Sequence, residues 1–452
     1  MQIDKEFYRK LIRIGVPIMF QELMLAAVAA GDAFMLSQSS QDAMAAVSLA
    51  TQVQFIQNMA MTASTGAGAI LGAQYFGKKD LRTVNDIFII MLRFSAMISF
   101  VFFIACVFFP TQLMHVYTQE ADLIAIGADY LRIAGFSYLL TGLTQSYLTT
   151  MKVTEHVTVS AIISTGTVVL NLILNGLLIF GWFGLSPMGA KGAALATTIA
   201  RAAEFGAVII ISFCPGYMQP NMKRFFLRDK LLTRDFLKCG LPLCGGALFW
   251  GIGYSGYTAI IGHMGKAAAA ANSITAVVRD LFCCFSHGLS SAAGIMVGNE
   301  LGAGDLEKGR IYGARFSKLS IWSGLFCMAA ILALTPVLLN FTHLTGEAAD
   351  LMKGMMIIMS FYMIGRNITT VVICGVFIAG GDTLFDIYSL AVMMWGLALP
   401  LAFLGAFVFG WPVLAVYACT CLDEVGKLPW VYIHYKKYKW VKDLTREREE
   451  LE

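Results

Sequence analysis

Gln74-Tyr75-Phe76-Gly77-Lys78-Lys79-Asp80 closes the second apolar run of the chain, and 225 residues later Asn299-Glu300-Leu301-Gly302-Ala303-Gly304-Asp305 closes the eighth. An amide, a glycine and an aspartate keep their spacing in both copies. The same offset carries Gly15 and Pro17 onto Gly240 and Pro242, and Ser48 onto Ser273. The second half of the chain therefore repeats the first, and a fixed internal period is the mark of an architecture built twice.

Composition decides what is built twice. The 452 residues are 58% hydrophobic and 14% charged, with a mean hydropathy of +0.69. Soluble domains carry roughly a quarter charged residues, so this chain belongs in a bilayer. Apolar stretches such as 87–109, 158–180 and 387–409 recur along it. Each is long enough to cross a hydrocarbon core of about 30 Å. Twelve are expected, six per half. The fold class is an all-α integral membrane protein of twelve transmembrane helices in two six-helix lobes. Because six is even, both copies start on the same side and the repeat is parallel, the arrangement from which transporters are built. The expected organisation is an amino-terminal lobe over 1–214, a linker over 215–238, a carboxy-terminal lobe over 239–435 and a charged tail over 436–452. Pro215, Gly216 and Pro220 end the sixth span before the linker charges begin.

The net charge of +4 says less than its placement. Lys5, Arg9, Lys10 and Arg13 precede the first span, and Lys78, Lys79 and Arg82 follow the second. Lys223, Arg224, Arg228, Lys230, Arg234 and Lys238 follow the sixth, Lys308, Arg310, Arg315 and Lys318 the eighth, and Lys436, Lys437, Lys439, Lys442, Arg446 and Arg448 the last. Connections near Ser39, Thr118 and Thr345 hold no Lys or Arg. The positive-inside rule puts both termini in the cytoplasm of a multi-pass protein of the cell (inner) membrane. Topology accounts for these clusters, so no nucleic-acid partner is implied. No small-residue cleavage site precedes Glu22 and Asp32, so the first span is expected to be retained.

Enzyme chemistry finds no footing in this sequence. The ten cysteines sit in apolar runs without C-x-x-C spacing, and the six histidines are scattered. No cofactor is implied.

Polar residues inside apolar spans carry the functional signal, because a membrane-buried carboxylate is costly unless neutralised, paired or wetted. Asp32 is the strongest case, in the outer part of the first span. Glu22 lies ten residues earlier, about 15 Å along an ideal helix. It either shares a cavity with Asp32 or hydrogen-bonds a helix broken near Pro17. Asn171 and Asn175 are one turn apart and share a face. They read as oxygen ligands for a small cation, as a cage around a titrating aspartate, or as glue between packed helices. Gly189-x-x-Gly192-Ala193-Ala194 presents a small face for close helix approach, followed by Thr197 and Thr198, whose hydroxyls can bond back to their own helix.

Arg201 with Glu204, and Asp423 or Glu424 with Lys427, have the spacing of in-helix charge pairs. Arg279 and Asp280 are adjacent, point about 100° apart on a helix, and need partners on other spans. Asp80, Asp305 and Asp382 sit in turns, where Asp is cap chemistry first and a gate second. Trp250, Tyr254 and Tyr257 form one stripe, read either as a packing or lipid face or as a cavity wall for lipophilic cations. With Glu22 and Asp280 they are the candidate substrate cavity.

Taken in order, Gly15-x-Pro17, Asp32, Ala73-Gln74-x-x-Gly77, Asn171-x-x-x-Asn175-x-x-x-Ile179-Phe180-Gly181, Gly189-x-x-Gly192-Ala193-Ala194-x-Ala196-Thr197 and Gly298-Asn299-Glu300-x-Gly302-x-Gly304-Asp305 resemble the multidrug and toxic compound extrusion (MATE) family over nearly the whole chain. The resemblance implies a monomeric export protein that expels small organic cations in exchange for inward sodium ions or protons. It places the coupling site on Asp32, Asn171, Asn175 and Thr197. In one branch of the family the second residue of the pair is Asp where this chain has Asn175. Branches that couple in the carboxy lobe carry a seventh-span glutamate where this chain has Phe249, Trp250 and Gly251, and an arginine often found before the span-ten Gly-Asp-Thr is replaced by Ile378. Two other expectations stay open: a flippase for lipid-linked precursors, whose kind usually carries more basic charge in the cavity than the Arg279 and Arg366 that lie mid-span here, and a channel or sensor without coupled transport.

Overall fold

The computed structural model describes residues 2–184, 186–219, 225, 229–341 and 346–447. Pro220, Lys223, Arg224, Arg228, Thr345 and Arg448 lie outside the described residues. Among the described residues everything regular is helical. The first half holds α1 (Gln2–Ser39), α2 (Gln41–Gly77), α3 (Leu81–Phe108), the short α4 (Pro110–Tyr117), α5 (Ala121–Val153), α6 (Val157–Phe180) and α7 (Gly189–Ser212). The second half opens with α8 (Lys230–His263), α9 (Lys266–Gly302) and α10 (Leu306–Phe341). Next comes α11 (Glu347–Thr369), which runs on as a π-helical stretch over Thr370–Phe377. The eleventh span joins α12 (Leu384–Leu390), a second π-helical stretch (Ala391–Ala398) and α13 (Leu399–Phe407). The twelfth is broken into α14 (Val413–Thr420), α15 (Leu422–Val425) and α16 (Leu428–Lys436).

Among the described residues ten of these helices are long and apolar enough to cross a membrane on their own. The two that fall short are α2 and the broken twelfth span, which buries Asp423, Glu424 and Lys427. Both belong to the six-helix plan of their half, so the protein is the multi-pass, twelve-span helical molecule that the repeat predicts.

The repeated heptapeptides make the same turn. After α2 the Asp80 N–H donates to the Tyr75 carbonyl at 3.0 Å, and after α9 the Asp305 N–H donates to the Glu300 carbonyl at 3.1 Å. The penultimate residue of each, Lys79 (φ 66°) and Gly304 (φ 81°), is left-handed, as this helix-ending motif requires. Glycine adopts that conformation freely, whereas lysine is strained by roughly 1–2 kcal/mol. Each aspartate then caps the next helix. Asp80 Oδ1 accepts from the Thr83 N–H at 3.1 Å, and Asp305 Oδ1 from the Lys308 N–H at 2.9 Å. The same six-residue closure recurs after α5 (His156 N–H to Met151 O, 2.8 Å) and before α12 (Asp382 N–H to Phe377 O, 3.1 Å). Asp382 departs from the expectation of a cap. Its carboxylate reaches His434 Nε2 at 2.6 Å instead, and the ring of His434 stacks on Phe385 at 4.1 Å.

The chain forms two compact units. One contains Phe20–Gly240 and Arg446–Glu452, and in it α2, α3 and α5 pack mutually while α7 lies against α5 and α6. The other contains Met1–Met19 and Leu241–Thr445, where α9, α10 and α11 repeat the first trio. The chain passes from one unit to the other inside α1, just after Pro17, and inside α8, just before Pro242. Both crossings fall at the repeated Gly-x-Pro. The expected division at the 215–238 linker thus differs from the division by contacts, because a helix that continues through a proline can pack its two halves in different places. The tail is docked as well. In the second unit Trp440 is fully buried, and in the first the Arg446 guanidinium grips Asp235 at 2.6 and 3.1 Å.

Candidate functional site

In the unit built around Phe20–Gly240, one carboxylate heads a chain of polar side chains. Asn175 Nδ2 donates to Asp32 Oδ1 at 2.5 Å and lies 3.1 Å from Asn171 Oδ1. Asn171 Nδ2 in turn donates to Thr197 Oγ1 at 3.2 Å. Three helices supply these groups: α1 the aspartate, α6 the two amides on one face, and α7 the hydroxyl. The close approach of α7 to α6 is set by Gly192, where a Cβ would fall 2.5 Å from the Leu178 carbonyl oxygen. All four residues expected to form the coupling site are therefore brought together.

Two features of this chain of bonds matter chemically. Asn171 and Asn175 are buried, yet Asn175 Oδ1 has no hydrogen-bond partner. A buried amide oxygen without a donor suits a small hard cation or the hydroxyl of a neutral carboxylic acid. Close by on α7, Arg201 acts electrostatically on Asp32 and donates to Glu204 Oε2 at 2.7 Å, the in-helix pair that the spacing predicts. Thr198 bonds back to Ala194 O at 2.8 Å and also reaches Ile133 O at 3.2 Å. It serves packing. Glu22 is not part of the polar chain: it is half-buried on α1, and the charge that feels it is Lys152 of α5.

The second unit holds the other sequence candidates and a cluster that spacing alone understated. Trp250 and Tyr254 of α8 stack at 5.4 Å with rings 10° from parallel. The Arg366 guanidinium lies 5.6 Å from the Trp250 ring centre and that of Arg279 lies 4.6 Å from Tyr254. The faces that would greet an organic cation thus already carry the protein's own cations. Tyr257 packs into a small core with Leu390, Met394 and Ala398. Arg279 finds the partner on another helix that its position demanded, the Tyr254 hydroxyl at 2.5 Å, but it also folds back on the adjacent Asp280 at 2.7 Å. Adjacent residues were expected to point apart. The length of the arginine side chain overcomes the angle, and Asp280 itself is largely exposed.

The ties that sequence reasoning missed converge on Glu424. Arg366 NH1 donates to its Oε1 at 2.5 Å, Thr369 Oγ1 donates to its Oε2 at 2.6 Å, and Lys427 Nζ lies 3.5 Å from the same oxygen. The Lys427 pairing follows from helical spacing. The bond to Arg366, 58 residues away, does not.

A description of the chain as two copies also emerges from comparison with known proteins. The family model MatE matches residues 17–177 and again residues 247–404. The chain belongs to the MATE family of transporters. It is a transporter and not an enzyme. The uncharacterized transporter YisQ of Bacillus subtilis (strain 168) is 24% identical over 447 residues, covering 97% of this MATE protein and 96% of that one. The probable multidrug resistance protein NorM of Bradyrhizobium diazoefficiens is 24% identical, covering 90% and 88%. Among solved structures, a mutant of the Vibrio cholerae MATE transporter VcmN superposes with a TM-score of 0.89 at 15% identity, over 98% of this chain and 100% of that one. A MOP superfamily transporter of Pyrococcus furiosus, described as having a binding pocket of reverse polarity, superposes with a TM-score of 0.82 at 14% identity, over 95% and 96%. These likenesses establish the MATE fold.

Proposed function

We propose that this MATE transporter is a secondary active multidrug antiporter, exporting lipophilic organic cations in exchange for protons or sodium ions that bind at Asp32. The observation that carries this reading is the bond from Asn175 to Asp32 and its continuation through Asn171 to Thr197. It gives one membrane-embedded carboxylate a polar relay that responds to its charge. The names of relatives such as NorM support the substrate class. With the basic connections inside, both termini are cytoplasmic and export runs away from them.

The relay explains how ion and substrate compete. When Asp32 is charged, the Asn175 amide turns its Nδ2 to it and leaves Oδ1 without a donor. A cationic substrate is then held by the carboxylate. When Asp32 takes a proton, it becomes a donor, and the amide must present Oδ1 to it instead. That reversal takes Nδ2 away from Asn171, so Asn171 and Thr197 reorganise in turn. Neutralised and re-bonded, Asp32 loses its hold on the cation, which leaves outward. A sodium ion would act at the same place, through the carboxylate, the two amide oxygens and the Thr197 hydroxyl. One carboxylate serves both cargoes in alternation.

The flippase reading calls for more basic charge than Arg279 and Arg366 supply, and Asp280 and Glu424 match even these two charges. The test is dye efflux from vesicles with an imposed proton or sodium gradient. Wild type should extrude a lipophilic cationic dye only with a gradient, and Asp32→Asn should not. Asp32→Asn extrusion at the wild-type rate would refute the coupling role, and flux indifferent to any gradient would favour a channel.

A further inference from the structure

In the unit built around Leu241–Thr445, the charges clustered about Glu424 do not balance in sign. Arg366 and Lys427 are positive, whereas Asp386, Asp423 and Glu424 are negative, and Arg279 is cancelled by Asp280. Glu424 is fully engaged by Arg366, Thr369 and Lys427. Asp423 is not. Only 3% of it is exposed, and its Oδ1 has no hydrogen-bond partner. Across from it on α8, the Tyr257 hydroxyl is within electrostatic reach, is 7% exposed as a residue, and also lacks a partner. Buried polar atoms without partners are each expensive, and a surplus negative charge on one of them is more so.

We propose that Asp423 is a second proton-binding site of this protein, separate from Asp32. One proton added at Oδ1 converts the carboxylate into a carboxylic acid, a hydrogen-bond donor for which the orphaned Tyr257 oxygen is the candidate acceptor. The same proton brings the five charges from a net of minus one to zero. Among the described residues, the groups that interact electrostatically with Asp423 include Glu424, Lys427 and Cys421 from its own span, Arg366 and Tyr362 from α11 and Tyr257 from α8, while Asp386 of α12 acts on the same Glu424, Lys427 and Arg366. Among the described residues no group of three acidic, histidine or cysteine side chains could hold a metal ion. The ligand proposed is the proton, and the site extends the ion coupling proposed above to the other half of the repeat with different residues.

Infrared difference spectra of the full-length reconstituted protein, recorded between acid and alkaline buffer, test this directly. Wild type should show a carboxylic-acid C=O band that is lost in Asp423→Asn and retained in Asp32→Asn. In Tyr257→Phe the band should shift upward, because the acceptor is gone. An Asp423→Asn spectrum identical to wild type overturns the proposal, as does a wild-type spectrum whose every carboxylic-acid band vanishes with Asp32→Asn. If Asp423→Asn does not assemble, an unshifted band in Tyr257→Phe overturns it instead. Gradient-driven efflux is a separate measurement, so failure of the antiport reading leaves this result standing, and the reverse.

Discussion

An alanine at position 192 asks for room that α6 does not have. Its Cβ would lie 2.5 Å from the Leu178 oxygen and 2.7 Å from the Leu178 carbonyl carbon, against the 3.4 Å at which ordinary contact begins. Leu178 cannot retreat freely, because its oxygen already accepts from the Met188 N–H at 2.9 Å. The helix α7 must therefore shift by close to an ångström, and overpacking of this kind costs about 1–3 kcal/mol. Thr197 stands five residues further along α7, about 7.5 Å at the helical rise. The Asn171–Thr197 bond is already 3.2 Å long, so the shift breaks it. Gly206 on the same helix is the control, since nothing lies within 4 Å of its added Cβ. Gly206→Ala should be neutral or gain up to about 1 kcal/mol in stability. In dye efflux from vesicles at matched protein levels, Gly192→Ala should fall about fivefold or more and Gly206→Ala should not change. Equal rates for the two variants would refute the claim that the α6–α7 approach positions the relay.

Thr197→Val removes one neutral hydrogen bond, worth about 1 kcal/mol, so efflux should drop several-fold but remain gradient-driven, whereas Asp32→Asn loses the gradient response altogether. Arg366→Leu leaves the Glu424 carboxylate with the Thr369 hydroxyl and Lys427, the latter at 3.5 Å; unfolding in mixed detergent should show a loss of about 3–5 kcal/mol, and a loss no greater than that of the more exposed Glu6→Ala would contradict the burial of the pair. Asp80→Ala and Asp305→Ala each remove a helix cap, and each should cost about 0.5–2 kcal/mol by the same unfolding measurement. A clearly unequal pair would mean the two turns are not equivalent.

What was legible in the sequence was whatever repeats or whatever is local. The Gln74–Asp80 and Asn299–Asp305 turns could be matched because an amide, a glycine and a capping aspartate keep their spacing in both halves, although the left-handed residue is Lys79 in one and Gly304 in the other. Asn171 and Asn175 could be paired because one helical turn places them together, and the Gly189-x-x-Gly192 face announced a close approach. The bond from Arg366 to Glu424 left no such trace, since it depends on how α11 meets α15, and no spacing rule spans 58 residues. Arg279 misled for another reason. Cα directions on a helix do not fix where a long flexible side chain ends, so it reached both Tyr254 and its own neighbour. Asp382 showed only its turn chemistry in the sequence, and its partner His434 lies 52 residues away, in the twelfth span.

The passage of α1 and α8 from one compact unit to the other at Gly15-x-Pro17 and Gly240-x-Pro242 bears on how the gene could be cut. A break placed in the linker between the two copies would sever the sequence at its seam without severing the folded molecule at its own. The amino fragment would carry Met1–Met19, whose packing partners lie in the other piece, and would lack the residues up to Gly240 that complete its own unit. Either fragment expressed alone would be short of a helix end, while the two produced together could complement each other. The gene was duplicated in tandem, but the protein it encodes is interlaced.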